Sequence, residues 1–418
     1  MRKILASALV CLIAVSAGSQ SLTLELCYQM ARDNYPLIKQ RDLINASRDF
    51  TIANAKSGFL PQLSINGQAT YQSDVTKVPI DLPNLTIKPL AKDQYKIYGE
   101  LTQTIYDGGQ IKHTAGTQDV SAQVEAQRTE VELYKLRERV NQVYFGILLL
   151  DQQLIQNELL KADINTSLTK AKSNLEFGTA IRMNVQILEA EGLKVKQRDI
   201  EFKAMRRAYL DMLGILIHRE LPDAQGLVTP VLADPSVAEL KRPELQLFRL
   251  QRELTNQQYA LQYTKNMPRL GLFVQGGYGR PGLNALKNEF STYYIGGLRL
   301  SWNLSGFYNS KRDKQLTEIN TQAVDVQQEL FNFNSNLILR QQSAEVSKLK
   351  DLLAVDEDLI ALRSQIKETA QVQLNNGVMS ANDFLRELNA EDQARQNKIL
   401  HEVQRLLAIV NYQTTMGN

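Results

Sequence analysis

This chain has few cysteines, almost no excess of charge of one sign, and no long hydrophobic run after its N-terminal segment. Its 418 residues include two cysteines, and Cys11 falls in an N-terminal apolar segment that we expect to be removed. Cys27 would then stand alone, which excludes an intramolecular disulfide. Beyond the N-terminus no apolar run approaches the roughly 18 residues that a membrane helix needs. The formal net charge is only +3, and nothing suggests the concentrated basic face of a nucleic-acid binder.

Patterns of catalysis and metal binding are missing as well. The three histidines, His113, His218 and His401, are far apart and in no metal-ligand spacing. No P-loop, dinucleotide fingerprint or nucleophile elbow is present. The acidic residues stand among Lys, Arg and Gln, which is typical of solvated helix faces. We therefore predict a protein that is not an enzyme, with no catalytic residue, metal site or cofactor.

Residues 1–20 have the three-part layout of a secretory signal. Two basic residues precede an apolar run over 4–15, and small residues follow over 16–19. Cleavage near Ala17 and cleavage near Gln20 both fit this layout, and a buried N-terminal helix is the alternative. The layout predicts export, and the residues before Cys27 give no lipidation context.

Proline is absent from Leu90 to Leu221 and again from Gly282 to the end. Proline inside a helix costs about 3 kcal/mol, so its absence permits long helices. Apolar residues at alternating steps of three and four indicate coiled-coil packing. We predict two helix pairs, 109–177 with 180–213 and 307–375 with 380–415, and the first helix would be about 100 Å long. The stripes are Leu133, Leu136, Val140, Val143, Ile147, Leu150 and Leu154; Leu352, Val355, Leu359, Leu362 and Ile366; and Leu400, Val403, Leu407 and Val410.

Two hairpins of alternating strands are predicted over 62–106 and 269–304. In Gln62–Tyr71 the apolar residues share one face and the polar residues share the other. The strands are about 10–12 residues long, as in membrane strands with lipid on one side and water on the other. Tyrosines lie near the strand ends, as an aromatic girdle would. A soluble two-sided sheet is the alternative.

The chain also repeats itself. Pro36 and Pro243 lie 207 residues apart, as do Pro61 and Pro268. A repeat of this length indicates an internal duplication rather than a solenoid. We predict a first repeat over 21–220, a proline-rich connector over 221–243 with room for one small strand or helix, and a second repeat over 244–418.

Four strands cannot close a membrane barrel, for which about eight is the lower limit. An open sheet edge in lipid would leave unpaired backbone groups. If these strands cross a membrane, several chains must therefore share one barrel. Polar helices of about 100 Å would project into an aqueous compartment. The expectation is an oligomeric conduit.

The chain resembles the TolC-like outer-membrane efflux proteins over nearly all of its expected mature length. Leu101–Gly109, ending in Gly108 and Gly109, resembles the family's strand-to-helix junction, and Asn174–Gly178 resembles its periplasmic turn. The second copies, Leu298–Gly306 and Leu374–Gly377, match more loosely.

The resemblance implies a mainly α fold with membrane β structure: a duplicated strand hairpin and long coiled-coil helix pair. Three copies would form a 12-stranded β-barrel that continues into a periplasmic α-helical tunnel. The chain would be the exit duct of a tripartite efflux pump or type I secretion system in a Gram-negative outer membrane. Its partners would be outer-membrane lipid, a periplasmic adaptor (membrane fusion protein) and an inner-membrane transporter of RND, ABC or MFS type.

The resemblance also points to individual residues. The adaptor would dock at the tips formed by Gly178, Thr179, Gly377 and Val378. The family's entrance carries an acidic residue six positions after the turn glycine; Asp383 matches in the second half. In the first half the corresponding position is Asn184, which is not acidic as the family's residue is. Met379 stands where family members often carry a gate-locking arginine. Arg386, one turn after Asp383, could pair with it.

Two other interpretations stay open on the sequence. Asp383 could be an ordinary solvated carboxylate or a helix cap. The whole chain could be a secreted structural or adhesive coiled coil without channel activity, which explains the heptads and the signal but not the lipid-compatible strands.

Overall fold

A computed structural model describes residues 22–76, 89–178, 181–236, 239–284 and 286–418. The expected signal at 1–20 and the predicted tip residue Thr179 lie outside the described residues. The chain divides into two compact units. The described residues within Met1–Ile38, Thr129–Pro243 and Leu330–Asn418 form the helical unit, and those within Lys39–Arg128 and Glu244–Glu329 form the sheet unit.

The element order repeats once along the chain. In each half a helix and a short 3₁₀ turn lead into an antiparallel strand hairpin, which is followed by a pair of long helices. The described helices are α1 Leu24–Asn34, α2 Ile38–Lys56, α3 Gln110–Tyr134, α4 Leu136–Glu176, α5 Arg182–Ile217, α6 Pro243–Tyr263, α7 Phe307–Asn375 and α8 Ala381–Met416; the strands are β1 Gln62–Tyr71, β2 Asp93–Tyr106, β3 Arg269–Arg280 and β4 Ser291–Ser301.

In the sheet unit the four strands form one antiparallel sheet in the order β1-β2-β3-β4. The two hairpins join through β2 and β3, where Leu101 lies opposite Val274. The predicted face is continuous across the sheet, because Leu63 lies opposite Leu101 and Val274 lies opposite Gly296. A register shift between Thr104 and Tyr106 interrupts the β2–β3 ladder next to the start of α3.

Strand β4 ends earlier than the predicted Leu304. It stops at Ser301, because Trp302 turns into the junction and its indole Nε1 donates to the carbonyl oxygen of Asn266 at 2.9 Å.

Across the sheet, Arg299 forms an ion pair with Glu100 at 3.0 Å and lies over the Phe273 ring.

The described residues of the helical unit form three apolar clusters, the smallest of which joins Val346 and Leu349 of α7 to Ala408 and Ile409 of α8. The first joins α1, α4, α5 and α8 and contains Val140, Val143 and Ile147 of the predicted stripe, of which every member from Leu133 to Leu150 is buried. The second lies near the α4–α5 and α7–α8 turns, where Leu188 and Phe384 are fully buried. Within the described ranges, no helix is both long enough and apolar enough to cross a membrane.

Two helix predictions need correction. The helix predicted over 109–177 is divided at Lys135, where ψ is −19° and the backbone tightens toward 3₁₀ geometry. The stripe containing Leu352, Val355, Leu359 and Leu362 is exposed, so it is not a seam within this chain.

Before Pro243, where α6 begins, the described residues of the connector form no helix and no extended ladder. Leu227 forms an isolated parallel bridge with Leu22. The Tyr144 hydroxyl lies within hydrogen-bonding distance of the carbonyl oxygens of Leu22 and Val228, at 2.8 and 2.6 Å. These contacts attach the chain around Leu22 and the connector around Val228 to α4.

Candidate functional site

The two turns of the helical unit are built on left-handed glycines. Gly178 has φ of 73° and Gly377 has φ of 72°. After α7, the Val378 amide donates to the Gln373 carbonyl at 2.9 Å and the Gly377 amide donates to the Leu374 carbonyl at 3.1 Å. This pair of bonds defines a Schellman motif with glycine at the left-handed position. The glycines therefore end α4 and α7, at the two segments whose sequences resemble the family's periplasmic turn.

Helix α8 begins with a side-chain cap that includes Asp383. Ser380 is the N-cap residue, and its hydroxyl accepts from the Asp383 amide at 3.2 Å while donating to the Asp383 carboxylate at 2.7 Å. A carboxylate in the first turn is also favoured by the helix dipole. Asp383 stays about half exposed, so capping leaves one side of the carboxylate open to solvent.

Arg386 lies closer to Glu387 than to Asp383. Its Nε is 3.2 Å from Glu387 Oε1, whereas its Nη1 is 4.0 Å from Asp383 Oδ1. Glu387 also accepts from Arg363 of α7 at 3.2 Å. The predicted Asp383–Arg386 pair is thus at the outer limit of an ion pair, and Arg386 is mainly a neighbour of Glu387.

Asn184 and Met379 line one groove, of about 710 Å³, between the two turns. Met379 packs against the second apolar cluster. Asn184 lies in the first turn of α5, which starts after Ile181 without a side-chain cap. Phe177 and Val378 are more than three-quarters exposed at the ends of the turns. The groove therefore combines amide groups with uncovered apolar side chains.

A buried ionic layer lies further along the same four helices, and the sequence reasoning missed it. Lys367 of α7 contacts Asp163 of α4 and Glu391 of α8, both at 3.1 Å. Glu391 also accepts from the Ser364 hydroxyl at 2.7 Å and from Arg395 Nε at 2.8 Å. Glu391 is 3% exposed. A charge this deeply buried is tolerated only with partners of this kind.

The electrostatics of the layer favour the charged forms. Burial disfavours the Glu391 carboxylate, but donation from Ser364, Arg395 and Lys367 outweighs burial and lowers its pKa. Burial likewise opposes the Lys367 ammonium, but its bonds to Glu391 and Asp163 outweigh burial and raise its pKa. Both groups are therefore charged near neutral pH.

A second set of contacts joins α8 to α5 and α4. Arg198 pairs with Asp392 at 2.6 Å, and Gln156 donates to the same carboxylate at 3.1 Å. Asn389 donates to Glu191 at 3.1 Å. Together with the Lys367 contacts, these bonds hold α7 and α8 against α4 and α5.

The first strand-to-helix junction, in the sheet unit, is capped by a buried aspartate. The Asp107 carboxylate accepts from the Gly109 amide at 2.8 Å and from the Ile111 amide at 2.6 Å. Gly108 and Gly109 have φ of 70° and 86°. A Cβ on Gly108 would also overlap Met267. The Asp-Gly-Gly run thus combines an N-cap with two left-handed residues.

The second junction uses glycine for a different reason. Gly306 directly precedes α7, and a Cβ there would collide with the side-chain oxygen of Asn266, which is buried. Close approach, rather than backbone conformation, requires glycine at this position.

No family model matches this chain, and no curated protein is similar to it in sequence. Solved structures are similar to it in fold. The Campylobacter jejuni CmeC outer membrane channel is 15% identical with a TM-score of 0.65, covering 94% of this chain and 85% of that one. The outer membrane protein VceC of Vibrio cholerae is 14% identical with a TM-score of 0.66, covering 94% and 96%.

The open state of the Neisseria gonorrhoeae MtrE outer membrane channel is 13% identical with a TM-score of 0.64, covering 94% and 89%. Each likeness extends over both strand hairpins and both long helix pairs, since nearly the whole chain is covered. The described chain therefore has the fold of the TolC-like outer-membrane channels, as its sequence motifs predicted.

Proposed function

We propose that this chain is an outer-membrane channel: a passive conduit from the periplasm to the exterior of a Gram-negative cell. It would act as the exit duct of a tripartite efflux pump or a type I secretion system. The observation that carries the proposal is the open four-stranded sheet with an exposed apolar face, on a fold shared with outer-membrane channels.

The exposed face of the sheet suits lipid. Leu63 and Ile65 of β1 are 75% and 78% exposed, and Leu298 and Leu300 of β4 are 65% and 69% exposed. Removing a Leu or Ile side chain from water is worth roughly 1.5–3 kcal/mol. A face of this composition would be an aggregation liability in water and a favourable surface in a bilayer.

The open edges favour three copies. In the described sheet, β1 and β4 each pair along one edge only. Unpaired strand edges in lipid cost several kcal/mol per backbone group, so the barrel must close. Two copies would give eight strands and three would give twelve; the TolC-like fold favours a homotrimer.

Adaptor docking is proposed at the two turns of the helical unit. The exposed Phe177 and Val378 and the groove beside Gly178 and Gly377 offer an apolar and amide surface for a periplasmic adaptor. Thr179 belongs to the same proposed tip. An inner-membrane transporter of RND, ABC or MFS type would supply the energy through the adaptor.

The periplasmic entrance is proposed at the start of α8. Three copies of Asp383 near one axis would form an acidic ring that favours cations. Because Arg386 lies mainly beside Glu387, it would weaken that ring only slightly. Asn184 and Met379 would line the entrance without adding charge.

Conductance of the purified protein in planar bilayers tests the channel function. We expect stable single-channel steps, and lysine-reactive cross-linking in native membranes should end at three chains. Soluble monomers without detergent and no conductance would instead support a secreted structural or adhesive coiled coil. The fold likeness does not favour that alternative.

A further inference from the structure

One face of α5 in the helical unit carries an exposed seam of alternating apolar and basic residues. Leu193, Lys196, Ile200 and Lys203 follow steps of three, four and three, which places them on one helix face. Leu193 is 65% exposed and Ile200 is 59% exposed. Lys196 and Lys203 are exposed too, although Lys203 contacts Asp199 of its own helix. We call these four residues the basic seam.

Helix α7 carries the matching seam with acidic residues. Asp351, Val355, Asp358 and Leu362 follow steps of four, three and four and also share one face. Val355 is 63% exposed and Leu362 is 56% exposed, and both aspartates are exposed. We call these four residues the acidic seam.

The two seams lie at the same level along the helical unit. Leu193 is 15 residues beyond Gly178, and Leu362 is 15 residues before Gly377. The two turn glycines line one groove.

Side-chain contacts support the same alignment. Asn389 of α8 bonds to Glu191 of α5, and Glu391 of α8 bonds to Ser364 of α7, so α8 relates the levels of the other two helices. By this count Leu193 lies within about three residues of the level of Leu362, which is about 4.5 Å at 1.5 Å per residue.

Set side by side in opposite directions, the seams are complementary at each position. Leu193 meets Leu362, Lys196 meets Asp358, Ile200 meets Val355, and Lys203 meets Asp351. Each lysine faces an aspartate and each apolar residue faces another, the arrangement that fixes partner and register in coiled coils.

The complementary seams do not satisfy each other within one chain, since both are exposed. A contact between two different patches of identical subunits is heterologous, and it closes into a ring when the rotation allows. Rotation about an axis along the helices also preserves the level of each residue.

We propose that the basic seam of one chain docks on the acidic seam of a second copy, and that this contact closes the helical part of the trimer. The inference rests on the proposed homotrimer and assigns the residues that form its helix–helix contact.

Pairs of cysteines test the alignment. Leu193→Cys with Leu362→Cys and Ile200→Cys with Val355→Cys are matched pairs that should form intersubunit disulfides in oxidised native membranes. Leu193→Cys with Val355→Cys and Ile200→Cys with Ile366→Cys are mismatched by at least seven residues, about 10 Å. Disulfides require Cα atoms within about 7 Å, so the mismatched pairs should not link. The parent chain is the control, because Cys27 is fully buried.

Charge reversal tests the complementarity. Lys196→Glu with Lys203→Glu should largely abolish the trimer measured by size-exclusion chromatography with light scattering in mild detergent, and so should Asp351→Lys with Asp358→Lys. The fourfold variant should restore it. Lys196→Arg with Lys203→Arg keeps the charge and should leave the trimer yield unchanged.

The results separate this inference from the proposed function. If the parent chain yields no trimer and no conductance, the proposed function is wrong. If the parent is trimeric but mismatched pairs link as well as matched ones, or both charge-reversed variants remain fully trimeric, then the seams are not the interface while the channel proposal stands.

Discussion

The same substitution, glycine to alanine, should have opposite effects at Gly377 and Gly192. Gly377 has φ of 72°, and a Cβ there meets no atom within 4 Å. Its penalty therefore comes from the left-handed backbone alone, about 1–2 kcal/mol for an L-residue. Gly192 lies inside α5, where the nearest atom to an added Cβ is Ile164 Cγ2 at 3.9 Å, an ordinary contact. There alanine should add about 0.5–1 kcal/mol by reducing the entropy of the unfolded chain.

The free energies of unfolding of the two variants should therefore differ by roughly 2 kcal/mol. Urea unfolding of the full-length protein, followed by helical circular dichroism at one fixed protein concentration, measures this difference. Gly377→Asn should lie between Gly377→Ala and the parent, since asparagine tolerates the left-handed region better. If both alanine variants shift in the same direction, left-handed backbone strain does not govern the α7–α8 turn.

Three further outcomes follow from the capped and buried carboxylates. Glu391→Gln should lower the free energy of unfolding by about 2–3 kcal/mol, because Lys367 and Arg395 lose a charged acceptor. The folded pKa of Glu391 is lowered, so its contribution to the free energy of unfolding is full above the unfolded pKa of about 4.3 and is lost as pH falls through the folded pKa. An equal destabilisation by Glu391→Gln at pH 2 and pH 7 would contradict this. Asp383→Asn should reduce cation selectivity and divalent block in single-channel recordings, and an unchanged reversal potential would leave Asp383 as a helix cap only. Asp107→Ala should cost about 1–2 kcal/mol in urea unfolding by removing the cap of α3, and an unchanged midpoint would show that water replaces the carboxylate.

The strands were the most predictable part of the fold. Period-two alternation identifies the sheet faces directly, and β1 has the predicted bounds Gln62–Tyr71. The predicted end at Leu304 is wrong for β4, because the Trp302 indole donates to Asn266 across the junction and the strand ends at Ser301, a contact that the alternation pattern does not encode. The turn glycine of the second half was readable, because Gly377 is the only glycine between Phe307 and Thr415, whereas Gly178 shares its helical stretch with Gly116, Gly146 and Gly192.

The ionic layer could not be recognised in the sequence. Glu391 and Lys367 stand among Gln, Arg and Asp, as surface residues such as Glu402 do. Only the packing of four helices shows that Glu391 is buried while Glu402 is exposed. Charged residues at helical spacing therefore indicate a solvated face only until the neighbouring helices are known.

The stripe at Leu352–Ile366 shows what a heptad pattern does and does not specify. The alternating steps are typical of a seam that packs against a partner helix, but they do not say whether that helix belongs to the same chain. Exposure of Val355 and Leu362 removes the partner within the chain. The charges then indicate which helix of another copy is the partner, because Asp351 and Asp358 on α7 are seven residues apart, as are Lys196 and Lys203 on α5. A single helix pair inside one chain needs only the apolar positions. Matched charges on two surfaces that never meet in the monomer are better explained by selection for contact between copies.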